Sequence, residues 1–196
     1  MKISISRAMS ISGGNGPILD PNRNKLTKTE DFTATVWNDA SPNLPTVTAN
    51  AITAPDGTLT ADLLTAATGG TSSMKRQNVS SIANTVHYMS IFLQAGTSTQ
   101  TRLLLRNVTG GVNIADATIT WTAGVPSISI TAAGTFVVMS PSSGWYRAYG
   151  FAATGATATP TLSMSIFPDT SLGTGSVYAW GAQLERYSLT PYRRVA

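Results

Sequence analysis

The sequence predicts an all-β fold, an antiparallel β-sandwich of the jelly-roll type. The first observation is a series of about nine short β-prone runs, separated by Gly, Pro and Asn turn signals. The second is composition, because 29 Thr and 21 Ser stand beside only two Glu and four Lys, which disfavours long helices. The third is that no helical segment connects the runs, as a parallel α/β fold would require. With 196 residues, 42% of them hydrophobic, the chain can bury the core of one domain.

The chain divides into an arm and a sandwich. Residues 1–24 are expected to form an extended N-terminal docking arm, interrupted by a glycine-rich turn signal. Residues 25–196 are expected to form the sandwich. Its early strand at residues 46–53 ends at Pro55-Asp56-Gly57, where proline sets φ and glycine accepts a positive φ.

Two later runs show which faces are buried. Residues 85–94 carry bulky side chains at both odd and even positions, which indicates a central strand covered on both faces. Residues 161–167 alternate polar with apolar side chains, which is typical of a strand with one buried face. Such runs at regular spacing favour two facing antiparallel sheets.

Residue counts exclude several chemistries. The chain has no Cys and one His, which rules out disulfides, thiolate nucleophiles, iron–sulfur clusters and paired-histidine metal sites. It has no phosphate-binding Gly-Lys-Ser/Thr sequence and no Gly-x-Ser-x-Gly nucleophile elbow. His87 lies within an apolar run, so we expect a structural histidine rather than the base of a serine triad. These features predict that the chain is not an enzyme.

Basic residues are concentrated at the two ends of the chain. Residues 1–28 carry five basic residues and one acid, and residues 186–196 carry three basic residues and no acid. Because the termini of a domain often lie close together, we expect a basic patch that docks on an acidic partner surface. The alternative is that these charges only solvate the ends. The candidate docking residues are Lys2, Arg7, Arg23, Arg193 and Arg194.

Two other partner classes are not expected. The body of the chain between these ends is acidic and has no basic-aromatic repeat, which argues against nucleic-acid binding. No apolar run approaches the ~18 residues of a membrane helix, which argues against membrane insertion.

The tryptophans are the candidates for sugar binding. A flat aromatic face matches the C–H face of a pyranose, whereas a buried ring is part of the core. Trp145 and Trp180 lie inside strand-like runs and are expected in the core. Trp37 and Trp121 lie beside loop-like segments, so we take them as the candidate glycan-binding residues, with burial as the alternative.

Several short motifs occur in a fixed order along the chain. They are NKLTKTEDF at 24–32, Trp37, APDGTLTAD at 54–62, YMSIFLQAG at 88–96, GWYR at 144–147, YAWGAQLE at 178–185 and TPY at 190–192. This set covers about residues 22–196. It resembles the carbohydrate-binding-module-like jelly-roll domain of tailed-bacteriophage virion proteins, which occurs in tail fibres, tail tips and head appendages.

The resemblance carries implications for fold, location and partners. It implies a concanavalin-like sandwich, residence in the virion, contact with other virion proteins and adhesion to host surface glycans. Related sugar-binding sandwiches carry a structural calcium ion, for which Glu30 and Glu185 are the candidate ligands by position. No other cofactor is expected.

Three functional hypotheses follow. The leading one is a homo-oligomeric structural protein of the virion (a decoration, head-fibre or tail-appendage protein) that is docked by residues 1–24. The second is a dedicated glycan-binding receptor module of a tail fibre. The third is a small glycosidase whose pair of carboxylates is Glu30 or Asp31 together with Glu185.

Overall fold

The computed structural model describes residues 24–38, 43–67, 73–132, 134–142, 144–171 and 173–196. The predicted arm therefore lies almost wholly outside the described residues. Within these ranges the regular structure is one short 3-10 turn, Thr35–Trp37, and eleven strands. No helix in the described part of the chain has the length and hydropathy to cross a membrane.

The strands are numbered in chain order. Their bounds are β1 Thr46–Ile52, β2 Ala61–Thr65, β3 Lys75–Ser80, β4 Val86–Ala95, β5 Gln100–Asn107, β6 Val112–Thr122, β7 Val125–Ile130, β8 Thr135–Ser142, β9 Trp145–Ala153, β10 Thr161–Phe167 and β11 Ser176–Arg186.

The strands form two antiparallel sheets. The six-stranded sheet has the order β1-β2-β11-β4-β9-β8, and the five-stranded sheet has the order β3-β10-β5-β6-β7. The chain crosses repeatedly between the sheets, and side chains of both fill one hydrophobic core. The predicted fold class, an antiparallel β-sandwich consistent with a jelly roll, is confirmed.

The alternation of side chains explains how each strand is buried. On β10, Leu162, Met164 and Ile166 face the core and are fully buried. On β4, alternate residues such as Ile91 face the same core, while Phe92 points to the other side of the sheet and packs in a second cluster. The prediction that this run is a central strand is confirmed, because β4 lies between β11 and β9. Its second face is covered at Ser90 and Phe92 but only half-buried at Tyr88.

Strand β3 is absent from the sequence prediction, because its sequence KRQNVS is polar and charged. Two of its polar side chains are nevertheless buried, since the segment before β1 covers them. The Nζ of Lys75 donates to Asn38 Oδ1 at 2.8 Å, and Gln77 accepts from the backbone N–H of Thr27 at 2.8 Å. Polar side chains can occupy these positions because each finds a hydrogen-bond partner.

The two sheets present different outer faces. The covered face, on the six-stranded sheet, carries Phe92, Trp145, Arg147, Trp180, Gln183 and Glu185, all buried. The open face, on the five-stranded sheet, carries Arg76, Arg102, Arg106, Asn113 and Thr118, whose side chains are half-buried. Both sets point away from the core because they alternate with core residues.

Candidate functional site

All four tryptophans are buried. Trp37 is 0% exposed, and its indole N–H donates to the carbonyl of Lys28 at 2.9 Å. Trp121 is 7% exposed and donates to Thr101 Oγ1 at 2.9 Å. Neither ring presents the open face that stacking on a sugar needs, so the choice of these two residues as glycan-binding residues is corrected. Trp145 and Trp180 belong to the buried second cluster, as predicted.

Glu30 and Glu185 are held by protein donors. Glu30 accepts from the hydroxyl of Tyr192 at 2.8 Å and pairs with Arg194 at 3.2 Å. Glu185 accepts from the backbone N–H and the hydroxyl of Thr190, at 2.9 and 2.6 Å. The described residues contain no group of three or more acidic or histidine side chains arranged for a metal ion. These two carboxylates therefore do not fit the calcium site that the resemblance implies.

The predicted docking residues are placed only in part. Lys2, Arg7 and Arg23 lie outside the described residues. Residues 24–30 and 190–195 lie side by side, because the N–H of Thr29 donates to the carbonyl of Val195 at 3.1 Å. Arg194 is there, with a side chain 68% exposed, next to Arg193. Their docking role stays a prediction.

His87 is a structural residue, as expected. It is 0% exposed, and its Nδ1 lies 3.1 Å from the carbonyl of Thr85. A carbonyl only accepts, so Nδ1 carries the proton and Nε2 accepts from the Ser81 hydroxyl at 2.8 Å. Burial lowers the pKa of His87 to about 4. The pair resembles a serine–histidine dyad in connectivity, but Ser81 is 6% exposed and neither residue lines any of the concavities described below.

A concavity of about 530 Å³ lies where the β8 edge of the six-stranded sheet adjoins the start of β6. This volume is within the range of small-molecule sites. Gly134, with φ of +98°, allows the close approach, because a Cβ there would lie 2.7 Å from that of Ala115. The apolar lining of the concavity includes Val86, Val112, Ile114, Ala152 and Ala153.

Two aromatic rings lie side by side in this concavity. Tyr88 on β4 and Phe151 on β9 are directly opposite each other in the sheet register. Their rings are stacked, with centroids 5.0 Å apart and planes 27° apart. Both side chains are only half-buried, in contrast to the tryptophans. They form an aromatic platform that solvent reaches.

Two polar side chains complete the lining, Asn113 on β6 and Thr135 on β8. Asn113 accepts from Arg106 at 2.6 Å and donates to Asp116 at 3.1 Å. An amide offers two N–H groups and two lone pairs, so capacity remains for a ligand hydroxyl. Apolar walls with few fixed polar groups are the usual composition of a ligand site. We therefore take this concavity as the candidate functional site.

Sequence reasoning did not find Tyr88 and Phe151, because they are 63 positions apart in the chain and meet only through strand pairing. The alternation of residues 85–94 already indicates that Tyr88 points to the opposite side of the strand from the core-facing residues. This alternation shows which way the ring of Tyr88 points, but it does not show which residues surround the ring.

Two further concavities are less suited to a sugar. One of about 380 Å³ is lined by Lys25, Thr27 and β3 and has no aromatic residue. One of about 440 Å³ contains Trp145, but that indole is 4% exposed and donates to the carbonyl of Thr53.

Sequence comparisons find no relative: no protein-family model and no curated protein sequence matches the chain. Solved structures do match. An arabinose-bound MgGH51 α-L-arabinofuranosidase has a TM-score of 0.49 at 11% identity, over 87% of this chain and 28% of its own. The enzymatically active domain of bacteriophage CBA120 tailspike protein 4 has a TM-score of 0.40 at 10% identity, over 83% of this chain and 21% of its own. A putative sugar binding protein from Bacteroides thetaiotaomicron VPI-5482 has a TM-score of 0.41 at 9% identity, over 86% and 95%.

The chain spans only about a quarter of the length of the first two of these structures. The prediction that the chain is not an enzyme has to be corrected. Two of the three similar structures are a glycosidase and a tailspike enzymatic domain, which bears against that prediction even at such low identity. We therefore do not retain it.

Proposed function

We propose that the chain is a glycan-binding β-sandwich module of a tailed-bacteriophage virion. The observation that carries the glycan-binding part is the half-exposed aromatic pair, Tyr88 and Phe151, in a concavity of about 530 Å³ beside Asn113 and Thr135. The C–H face of a sugar ring packs on such rings, and its hydroxyls need amide and hydroxyl partners. The ordered sequence motifs support the virion part.

Binding is tested with the full-length protein on an array of neutral and acidic glycans. Tyr88→Ala and Phe151→Ala should each weaken binding about tenfold or more, because each removes one half of the platform. Tyr149→Ala is the matched control, since Tyr149 is also half-buried on the same face of β9 but does not line the concavity. Equal binding by all four proteins would refute this site. The bound glycans should also be analysed for cleavage products, which would show whether the protein hydrolyses them.

The virion part of the proposal has a separate test. Residues 1–24 and the basic residues Arg193 and Arg194 would dock the module on an acidic surface of another virion protein, in several copies per particle. Antibody-labelled images of intact particles should place the protein on the head or the tail. A protein that lacks residues 1–24 should be missing from purified particles. Normal incorporation of this truncated protein would remove the docking role.

A further inference from the structure

The candidate site continues into a charged network on the open face. Asn113 lines the concavity and also accepts from Nη1 of Arg106 at 2.6 Å. Its Nδ2 donates to Oδ2 of Asp116 at 3.1 Å. Asp116 in turn binds Arg102 through both carboxylate oxygens, at 2.7 and 2.5 Å. One row of hydrogen bonds therefore joins the concavity to two arginines.

The two arginines differ in how their charge is compensated. Asp116 holds Arg102 in a bidentate pair, with side chains 29% and 4% exposed. Burial alone would raise the pKa of Asp116, but the hydrogen bonds and charge of Arg102 outweigh burial and hold it below its usual range. Asp116 is therefore ionised and its charge is directed at Arg102. The hydrogen-bond partner of Arg106 is the neutral amide of Asn113, which leaves the charge of Arg106 beside the concavity uncompensated by that partner.

The guanidinium of Arg106 is suited to an anionic group. It has five N–H donors in a planar fork that matches a carboxylate or a sulfate. Arg106 is half-buried, so part of its side chain is accessible to solvent. The apolar residues Val112 and Ile114 of the adjoining concavity lower the local dielectric and so strengthen an ionic contact.

We infer that this site selects an acidic glycan, whose sugar ring packs on Tyr88 and Phe151 while its carboxylate or sulfate binds Arg106. Asn113 connects the two parts of this site, because it lines the concavity and accepts a hydrogen bond from Arg106. This inference rests on the proposed glycan-binding function and adds the charge of the ligand to it.

The test compares matched acidic and neutral polysaccharides in titration calorimetry of the full-length protein. Polygalacturonate with its methyl ester tests a carboxylate, and dextran sulfate with dextran tests a sulfate. The wild-type protein should prefer the acidic member of at least one pair by about tenfold, and added salt should weaken that preference. Arg106→Gln should abolish the preference, because it removes the positive charge that binds the acidic group. Arg194→Gln is the control, because it removes the same charge from an exposed side chain near the C-terminus. This variant should leave the preference intact.

The outcomes separate the two proposals. If acidic and neutral members bind equally well and Tyr88→Ala weakens both, the inference fails and glycan binding stands. If Arg194→Gln lowers the preference as much as Arg106→Gln does, net charge and not this site is responsible, which also overturns the inference. Single-stranded DNA bound as tightly as the acidic polysaccharide would overturn it as well. If no glycan of any kind binds, both proposals fail together.

Discussion

The outer faces of the two sheets differ in how far other segments of the chain cover them. On the covered face, Phe92, Trp145 and Trp180 are 8%, 4% and 3% exposed. Tyr192, near the C-terminal end of the described chain, packs on Trp180 and Phe92 with ring centroids 4.5 and 6.1 Å apart. The indole of Trp145 donates to the carbonyl of Thr53. On the open face, Arg102 and Arg106 remain half-buried. The covered part of the six-stranded sheet around Trp180 thus serves stability. Recognition is left to accessible side chains, which are Tyr88 and Phe151 further along β4 and β9 and Arg106 on the open face.

Polar contacts also attach the C-terminal segment that contains Thr190 and Tyr192. Arg147 donates from Nη2 to Ser90 Oγ and to the carbonyl of Thr190, both at 2.9 Å. Thr190 also donates to Glu185 on the same face, from its backbone N–H and its hydroxyl. The segment therefore replaces solvent over this face and is part of the fold.

The largest expected effect tests whether the covered face is a second core. Trp180→Ala should lower the free energy of unfolding by about 3–5 kcal/mol, because it leaves a cavity beneath Tyr192. Denaturant unfolding measures the change. The control from the open face is Thr118→Ala, for which a change below about 0.5 kcal/mol is expected. If the two variants lost similar amounts of unfolding free energy, the covered face would not be a second core.

The next effect concerns the space between the sheets, where His87 is buried. The unfolded chain binds a proton on His87 as pH falls below about 6.5, but the folded chain does so only near a pKa of about 4. Its contribution to stability is complete above about pH 6.5 and is lost as pH falls to about 4, by about 3 kcal/mol in total.

This pH dependence is measured by denaturant unfolding across that window. Burial raises the pKa of Asp169, but hydrogen bonds from Ser171, Gly175 and Thr174 outweigh it and lower this pKa to about 2. Asp169 therefore loses its contribution to stability only below about pH 4, outside the window of the His87 effect. A His87→Gln protein should lack the slope between pH 6.5 and 4. A slope that persists in this variant would assign the effect to other groups.

A smaller effect is expected where the two terminal segments meet. The Tyr192 hydroxyl lies 2.8 Å from both Thr29 Oγ1 and Glu30 Oε1, so Tyr192→Phe should cost about 1–2 kcal/mol. Thermal or denaturant unfolding measures it. Tyr187→Phe, at a ring 55% exposed, is the control and should have almost no effect. An equally stable Tyr192→Phe protein would mean that ring packing alone holds the segment.

The smallest stability effect is expected at the open face, where binding should change instead. Arg106→Gln should alter the free energy of unfolding by less than about 0.5 kcal/mol, because the side chain is partly exposed and its partner is neutral. The same protein is the one expected to lose the preference for acidic glycans. Destabilisation above about 2 kcal/mol would show that Arg106 is structural.

Much of the fold could be predicted from local patterns. The alternation in residues 161–167 and the two-sided run at 85–94 correspond to β10 and β4. Gly57, in the predicted turn, has φ of +86°. Strand β3 could not be predicted, because Lys75 and Gln77 are buried only through partners in the segment before β1.

The candidate site could not be predicted in the same way. Trp37 and Trp121 adjoin loop-like segments in the sequence, which favours exposure, yet both indoles are buried and hydrogen-bonded. Tyr88 and Phe151 lie in runs that resemble core strands, yet they line a concavity. Proximity to a loop in sequence does not report whether another segment covers a ring.

The sequence by itself determined most of the strands, though not β3, and their arrangement in two sheets, because side-chain alternation and turn residues act within a few positions along the chain. It also determined the absence of thiol chemistry, since no cysteine is present. Only the tertiary structure decided which aromatic rings are covered and which are accessible. The reason is that covering depends on segments far apart in sequence: Tyr192 covers Trp180 and Phe92, whereas the β8 edge and the start of β6 leave Tyr88 and Phe151 beside an open concavity.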